Sequence, residues 1–274
     1  MSPLPVERPP ATPEVIAASS PHADAGHSDM LNKVPAVTLV FWIIKIMSTT
    51  VGETGADYLA VHVGLGRAVT GGVMIAFLIA ALIFQLRARR YIPWTYWLTV
   101  VLVSVVGTQI TDTLTDGMGV SLYASTAVFS LALAAVFTVW YRFERTLSIH
   151  TVVTRRRELF YWAAILFTFA LGTAAGDLAT EELGLGFRLG VLACGLLIAL
   201  VLVAFRFGAN AVLAFWLAYI LTRPLGASLG DLLSQSRTYG GLGLGTINTS
   251  IAFLTVIVAL VAFVTVTPQR ARAA

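Results

Sequence analysis

The chain has 274 residues, of which 57% are hydrophobic and 12% charged, with a formal net charge of +4. A soluble domain has about a quarter of its residues charged, so half that share, with a mean hydropathy of +0.83, excludes an ordinary soluble protein and reads as an integral membrane protein. The single cysteine, Cys194, lies in an apolar run; it excludes a disulfide framework or a cysteine-built metal cage and reads as a small hydrophobe.

Residues 1–33 are rich in Pro, Ala, Ser and Asp and hold no apolar stretch long enough for a signal-peptide core. They are predicted to be a disordered cytoplasmic tail. His22, Asp24, His27 and Asp29 in it could touch a metal, but a tract without fixed geometry binds weakly, and a solvated tail is the simpler reading.

A membrane span needs about 20 mostly apolar residues. Eight segments qualify, at roughly 36–58, 67–86, 94–113, 120–141, 159–178, 187–205, 211–232 and 246–267. They pair into four repeats, 34–93, 94–158, 159–210 and 211–268, with 269–274 as a second short cytoplasmic tail. The expected fold is all-α: a polytopic membrane helix bundle of eight transmembrane helices built from four two-helix repeats.

The repeat is visible residue by residue. In the first helix of each unit an aromatic residue precedes Trp, Gly follows ten residues after the Trp, and Asp five after the Gly. The four copies are Phe41-Trp42/Gly52/Asp57, Tyr96-Trp97/Gly107/Asp112, Tyr161-Trp162/Gly172/Asp177 and Phe215-Trp216/Gly226/Asp231. Spacing that does not drift over four copies marks an internal repeat. The aromatic pairs read as an interfacial belt; packing between units is the alternative, since belt residues alone need no fixed register to Gly and Asp.

Loop charges orient the bundle. Arg87, Arg89, Arg90, Arg142, Arg145, Arg155, Arg156, Arg157 and Arg206 all lie between units, and Arg270 and Arg272 follow the last span. Loops within units hold Arg67, Arg188 and Arg237 beside Asp116, Glu181 and Glu182. The positive-inside rule therefore places the loops between units and both termini on the cytoplasmic side of the membrane. An even number of spans independently requires both termini to lie on one side.

Positions three, seven, eleven and fifteen after each Trp share one helical face. They hold Lys45, Thr49, Glu53 and Asp57; Val100, Ser104, Thr108 and Asp112; Ile165, Phe169, Thr173 and Asp177; Tyr219, Arg223, Ala227 and Asp231. Ionisable residues at membrane depth usually face a bundle interior or a wet cavity, with partners. The Asp residues could instead mark wet helix ends or bond helices together. An acid near a helix C-terminus is disfavoured by the macrodipole, and four such placements point to a role of another kind.

The motif glycines admit two readings, close helix approach or a helix break that exposes backbone to a cavity. Pro224, two residues before Gly226, favours a break in the fourth unit; close packing is expected in the other three. The run Gly240–Gly245 lacks the Lys-Ser/Thr of a phosphate loop and reads as an outer turn, like the Gly-Leu-Gly at 64–66 and 184–186. His62 reads as a loop residue that could relay protons near Asp57. No nucleophile–His arrangement or zinc spacing appears, so no enzyme activity and no cofactor are expected.

The stretch Lys33-Val34-Pro35, Phe41-Trp42-Ile43-Ile44-Lys45, Thr49-Thr50-Val51-Gly52-Glu53 and Asp57 resembles a family of bacterial integral membrane proteins. Those proteins are made of four tandem two-span, tryptophan-bearing repeats, and their repeat is catalogued as of unknown function. The resemblance covers about residues 33–267 and implies the repeat and span numbers but no substrate. The second unit lacks the Gly-Leu-Gly turn, and Glu53 occurs in the first alone.

The residues themselves lead to a secondary transporter. Asp57, Asp112, Asp177 and Asp231 with Glu53 would bind the ion, and the four Asp residues are the candidate metal ligands. Lys45 and Arg223 would serve as counter-charges, with Thr49, Ser104, Thr108 and Thr173 as supporting polar groups. Oxygen donors without Cys or His suit hard ions such as Mg²⁺, Mn²⁺, Ca²⁺, Na⁺ or H⁺, with export of a divalent metal such as manganese favoured. Two alternatives stand beside it. One is a proton-coupled carrier of an anionic or organic solute clamped by Lys45 and Arg223; the other is a non-transporting membrane scaffold or stress protein. Expected partners are membrane lipid and the transported ion or solute, with no nucleic acid. Four units could close around a site in one chain, or two chains could pair as a homo-oligomer through the even-numbered helices.

Overall fold

The computed structural model of the protein describes residues 32–62 and 67–273. The segment with His22, Asp24, His27 and Asp29, the Gly-Leu-Gly at 64–66 and the side chain of His62 lie outside what is described. Eight long helices follow one another: α1 (Leu39–His62), α2 (Arg67–Arg87), α3 (Pro93–Asp112), α4 (Leu122–Glu144), α5 (Arg155–Asp177), α6 (Gly186–Arg206), α7 (Ala211–Ser234) and α8 (Thr246–Ala273). The described residues contain no strand. Seven of the helices, α2 to α8, are long and apolar enough to cross a membrane. Helix α1 has the length of α7, 24 residues, and packs among α3, α7 and α8. Its composition departs because Lys45 and Glu53, both buried, and Asp57 lie along it.

The helices form two concentric layers. The motif helices α1, α3, α5 and α7 make an inner ring in which each touches the next and α7 returns to α1. The second helix of each repeat covers the following repeat: α2 lies on α3, α4 on α5, α6 on α7, and α8 on α1. Each repeat therefore interlocks with its successor, and the ring closes within one chain. The outer helices turn large apolar side chains outward, among them Phe77, Phe84, Leu131, Leu192 and Val258, as lipid-facing helices do.

The motif glycine is where inner helices meet. A Cβ on Gly52 would overlap Ser104, one on Gly107 would lie 2.7 Å from Cβ of Phe169, one on Gly172 would overlap Arg223, and one on Gly226 would overlap Thr49. In each case the glycine ten residues after a Trp receives the residue seven after the next Trp. Small residues at such crossings let backbones approach, which supplies packing where the hydrophobic effect does not.

The aromatic pair obeys the same cyclic rule. Ring centroids of Phe41 and Trp97 are 5.5 Å apart, Tyr96 and Trp162 5.6 Å, Tyr161 and Trp216 6.3 Å, and Phe215 and Trp42 5.7 Å. Trp97, Trp162 and Trp216 are buried and Trp42 is half-buried. The belt reading is thus corrected: these rings pack between repeats and seal the N-terminal end of the inner ring, because adjacent helices present them to one another and not to lipid.

The expected break in the fourth repeat is also corrected. Helix α7 runs unbroken through Pro224. The proline ring faces Gly172 and Gly176 of α5, whose missing side chains make room for it. The tail boundary shifts too, since Asn32 and Lys33 are buried. Lys33 Nζ donates to Glu158 Oε2 at 2.5 Å and to the Leu86 carbonyl at 3.2 Å, and Gln85 Nε2 donates to Glu158 Oε1 at 3.3 Å. A carboxylate buried in the first turn of α5 requires that cation. At the other end, α8 continues through residues expected to be tail.

Candidate functional site

Because the inner helices share one register, their inward positions stack as layers along the axis. Lys45, Val100, Ile165 and Tyr219 form the first layer beyond the aromatic seal, and all four are fully buried. Thr49, Ser104, Phe169 and Arg223 form the second, again fully buried. The third holds Glu53, Thr108, Thr173 and Ala227, and the fourth the four motif Asp residues.

Arg223 ties the third layer together. Its Nη2 donates to Glu53 Oε2 at 3.0 Å, to Thr173 Oγ1 at 2.6 Å and to Thr108 Oγ1, while Nη1 donates to the Thr49 carbonyl at 3.3 Å. One guanidinium from the fourth repeat thereby bonds to all three others. The planar fork of arginine, with five donors, suits this convergence. Lys45 is placed differently. Its Nζ lies 4.2 Å from the ring centroid of Phe169 and 4.4 Å from that of Tyr219, with no hydrogen-bond partner among the described residues.

Beyond the third layer the inner ring opens into a cavity of about 390 Å³ at the C-terminal ends of the motif helices. Asp57, Asp112, Asp177, Asp231 and Glu53 all line it. Among the described residues, no side chain donates a hydrogen bond to any of the four motif Asp carboxylates, and none pairs with them as an ion bridge. Nor are three or more of the described His, Cys, Asp and Glu side chains drawn together as a metal cluster. The Asp residues share a wall without forming a ready-made cage.

The helix ends explain how acids are tolerated there. After Asp112 the chain continues as a π-helical turn, Thr113–Gly117, and after Asp177 as another, Leu178–Glu182. Helical hydrogen bonding therefore extends past both Asp residues, which moves the negative end of the macrodipole away from them. The same turns bring Asp116, Glu181 and Glu182 onto the cavity wall, beside Gln109 and Gln235. These residues were missed as site candidates. Asp116 and Glu181 each follow a motif Asp by four residues, on the same helical face, but the spans were predicted to stop before them.

Of the supporting polar residues, Thr108 and Thr173 bond to Arg223; Thr49 contributes its carbonyl, and its hydroxyl donates to Ile46 O at 2.6 Å. Ser104 is the side chain seated against Gly52, and its hydroxyl has no partner. Lys45 and Arg223 lie below the cavity floor and are not part of its lining. The glycine-rich turn is occupied with capping: the N–H groups of Leu242, Gly243, Leu244 and Gly245 donate to carbonyls of residues 232–235 at 2.7–3.2 Å.

Comparison with family models matches a Repeat of Unknown Function (DUF347) four times, at residues 40–91, 95–146, 160–208 and 214–269. No curated protein and no solved structure matches the chain.

Proposed function

Since the chain belongs to the DUF347 repeat family, a family defined without an activity, we propose its function from the cavity: a secondary transporter for a hard cation. A divalent metal such as Mn²⁺ is the favoured cargo and export the favoured direction. The observation that carries this reading is that four motif Asp residues and Glu53 face one cavity while no described side chain donates to the Asp carboxylates. Carboxylate oxygens with amide and hydroxyl neighbours suit Mg²⁺, Mn²⁺, Ca²⁺ or Na⁺ better than zinc or copper. Ligands that gather only around an arriving ion also suit a carrier, which must release what it binds. Basic loops between repeats favour a cytoplasmic-membrane setting with the termini inside and the cavity open to the outside. The aromatic seal and the Arg223 layer then close the inner half.

An anionic-solute carrier would need Lys45 and Arg223 at the cavity wall, but both are fully buried and Arg223 is bonded to three other repeats. A scaffold that used the Asp residues as bonds between helices would need donors for them.

The decisive experiment is Mn²⁺ flux into vesicles holding the purified protein. The wild type is expected to move Mn²⁺, and Asp57→Asn and Asp231→Asn are expected to abolish the flux. Normal folding with wild-type Mn²⁺ rates in both variants would overturn the reading.

A further inference from the structure

We infer that Lys45 is a proton-binding residue whose proton is exchanged for the transported cation, making the carrier a cation/proton antiporter; this rests on the cation reading above. The argument begins with what surrounds the ammonium. Lys45 is fully buried, its Nζ has no hydrogen-bond partner among the described residues, and the faces of Phe169 and Tyr219 lie 4.2 and 4.4 Å away. Ring faces attract a cation, but they offset only part of the loss of water around a buried charge.

Among the described residues, no carboxylate is free to compensate it. Helix α7 presents Arg223, a second cation, and Tyr219. Helix α5 presents Phe169 and Tyr161, and α3 brings no charged residue between Pro93 and Thr111, only Tyr96. Helix α2 presents no charged side chain at this level, and α8 carries none from Thr246 to Thr267. On α1 itself the nearest acid is Glu53, two helical turns away and already bonded to Arg223 at 3.0 Å. Two cations thus depend on one carboxylate, with Arg223 between the other two groups.

That series makes the occupancies of the two ions exclusive. A cation that settles on Glu53 takes the carboxylate from Arg223. The guanidinium cannot shed its proton, whereas a buried lysine can. Strain between the two positive side chains is relieved when the Lys45 N–H bond breaks, its electron pair stays on nitrogen as a neutral amine, and the proton passes to water. The reverse also holds: a protonated Lys45 favours Arg223 on Glu53 and so expels the cation. By linkage each ion weakens the other's binding by the same factor.

Hydroxyl groups also stand in the sealed half, none of them hydrogen-bonded to Lys45 among the described residues. The Tyr219 hydroxyl is buried without a partner, and the hydroxyls of Tyr96 and Tyr161 are bonded at 2.5 Å inside the sealed half.

The test uses the full chain in vesicles with a trapped pH dye and Mn²⁺ as the probe. In the wild type, Mn²⁺ entry is expected to drive protons the opposite way, and an imposed pH gradient to drive Mn²⁺ uphill. Lys45→Met keeps the length and removes the unpaired ammonium, so it is expected to fold with an undiminished melting temperature. Its Mn²⁺ movement should lose all response to the pH gradient, and Lys45→Arg should lose it too, since a guanidinium holds its proton. Wild-type Mn²⁺ flux without proton movement overturns the role of Lys45 alone. So does gradient-driven accumulation retained by a folded Lys45→Met. A wild type that moves no Mn²⁺ overturns the cation reading and this inference together.

Discussion

Gly226 leaves no room for a side chain because the hydroxyl of Thr49 occupies the place its Cβ would take. This contact joins the last repeat to the first, and Gly52, Gly107 and Gly172 make the equivalent contacts with Ser104, Phe169 and Arg223. The four glycines therefore set how closely the inner helices approach, and with it the depth at which every inward side chain stands.

Substitution at these glycines is expected to loosen the ring. Gly52→Ala and Gly226→Ala should each lose about 1–3 kcal/mol through overpacking. Gly195, in α6 with nothing near its missing side chain, is the contrast: Gly195→Ala should gain roughly 0.5–1 kcal/mol as a helix-interior replacement. Thermal unfolding in detergent measures both, and equal melting temperatures for all three variants would show that the close approach matters little.

Removing half of the central ion pair should be worse than removing all of it. Arg223→Met leaves Glu53 buried without a cation, a loss of about 3–5 kcal/mol. The double variant Arg223→Met/Glu53→Met should recover most of that loss. Arg223→Lys is expected to recover little, because a point charge cannot reproduce the bonds to Glu53, Thr108, Thr173 and the Thr49 carbonyl. A double-mutant cycle on unfolding free energy measures the coupling.

The motif Asp residues should behave in the opposite way. Asp112→Asn and Asp177→Asn break no described hydrogen bond and remove one of several like charges around the cavity, so melting temperatures should hold or rise. The stabilisation that Mn²⁺ confers, about 2.7 kcal/mol at a hundredfold excess over Kd for the wild type, should disappear. Ligand-dependent melting curves separate the two effects; unaltered Mn²⁺ stabilisation in both variants would count against the cavity as the ion site.

Orientation is open to direct labelling. With Cys194→Ser as background, a cysteine at the exposed Arg89 should react only with reagents on the inner side, and one at the exposed Ser236 only with reagents outside. The reverse labelling pattern would invert the cavity and the proposed direction of access.

Much of this architecture was legible in the residues. Eight long helices were expected and eight are found, seven of them apolar enough to cross a membrane, and the Trp–Gly–Asp spacing identified four copies in a common register. Common register was enough to expect Lys45, Glu53, Arg223 and the Asp residues on inward faces. It could not tell which helix each face meets, because in lipid the outer helices are equally apolar against their own repeat and the next. The packing of α2 on α3 and of α8 on α1 is a tertiary choice. Trp97 and Trp162 looked interfacial for the same reason: an aromatic near a helix end reads alike whether it faces lipid or a neighbouring ring. Pro224 looked like a break because the glycines that accommodate it, Gly172 and Gly176, belong to another helix. Asp116 and Glu181 were hidden by π-helical turns that carry the helices past the last apolar residue.

The handing-on of each outer helix to the next repeat has a consequence for ancestry. A lone two-helix unit would leave its inner helix uncovered and its outer helix without a seat, so four separate copies would assemble as a cyclic tetramer. In such a tetramer every axial position would hold four identical side chains: four arginines facing one another, or four glutamates facing one another. Fusion into one chain lifts that constraint. It permits one Arg223 to meet one Glu53 and one Lys45 to stand alone beside Phe169, an imbalance of charge that four identical subunits could never share.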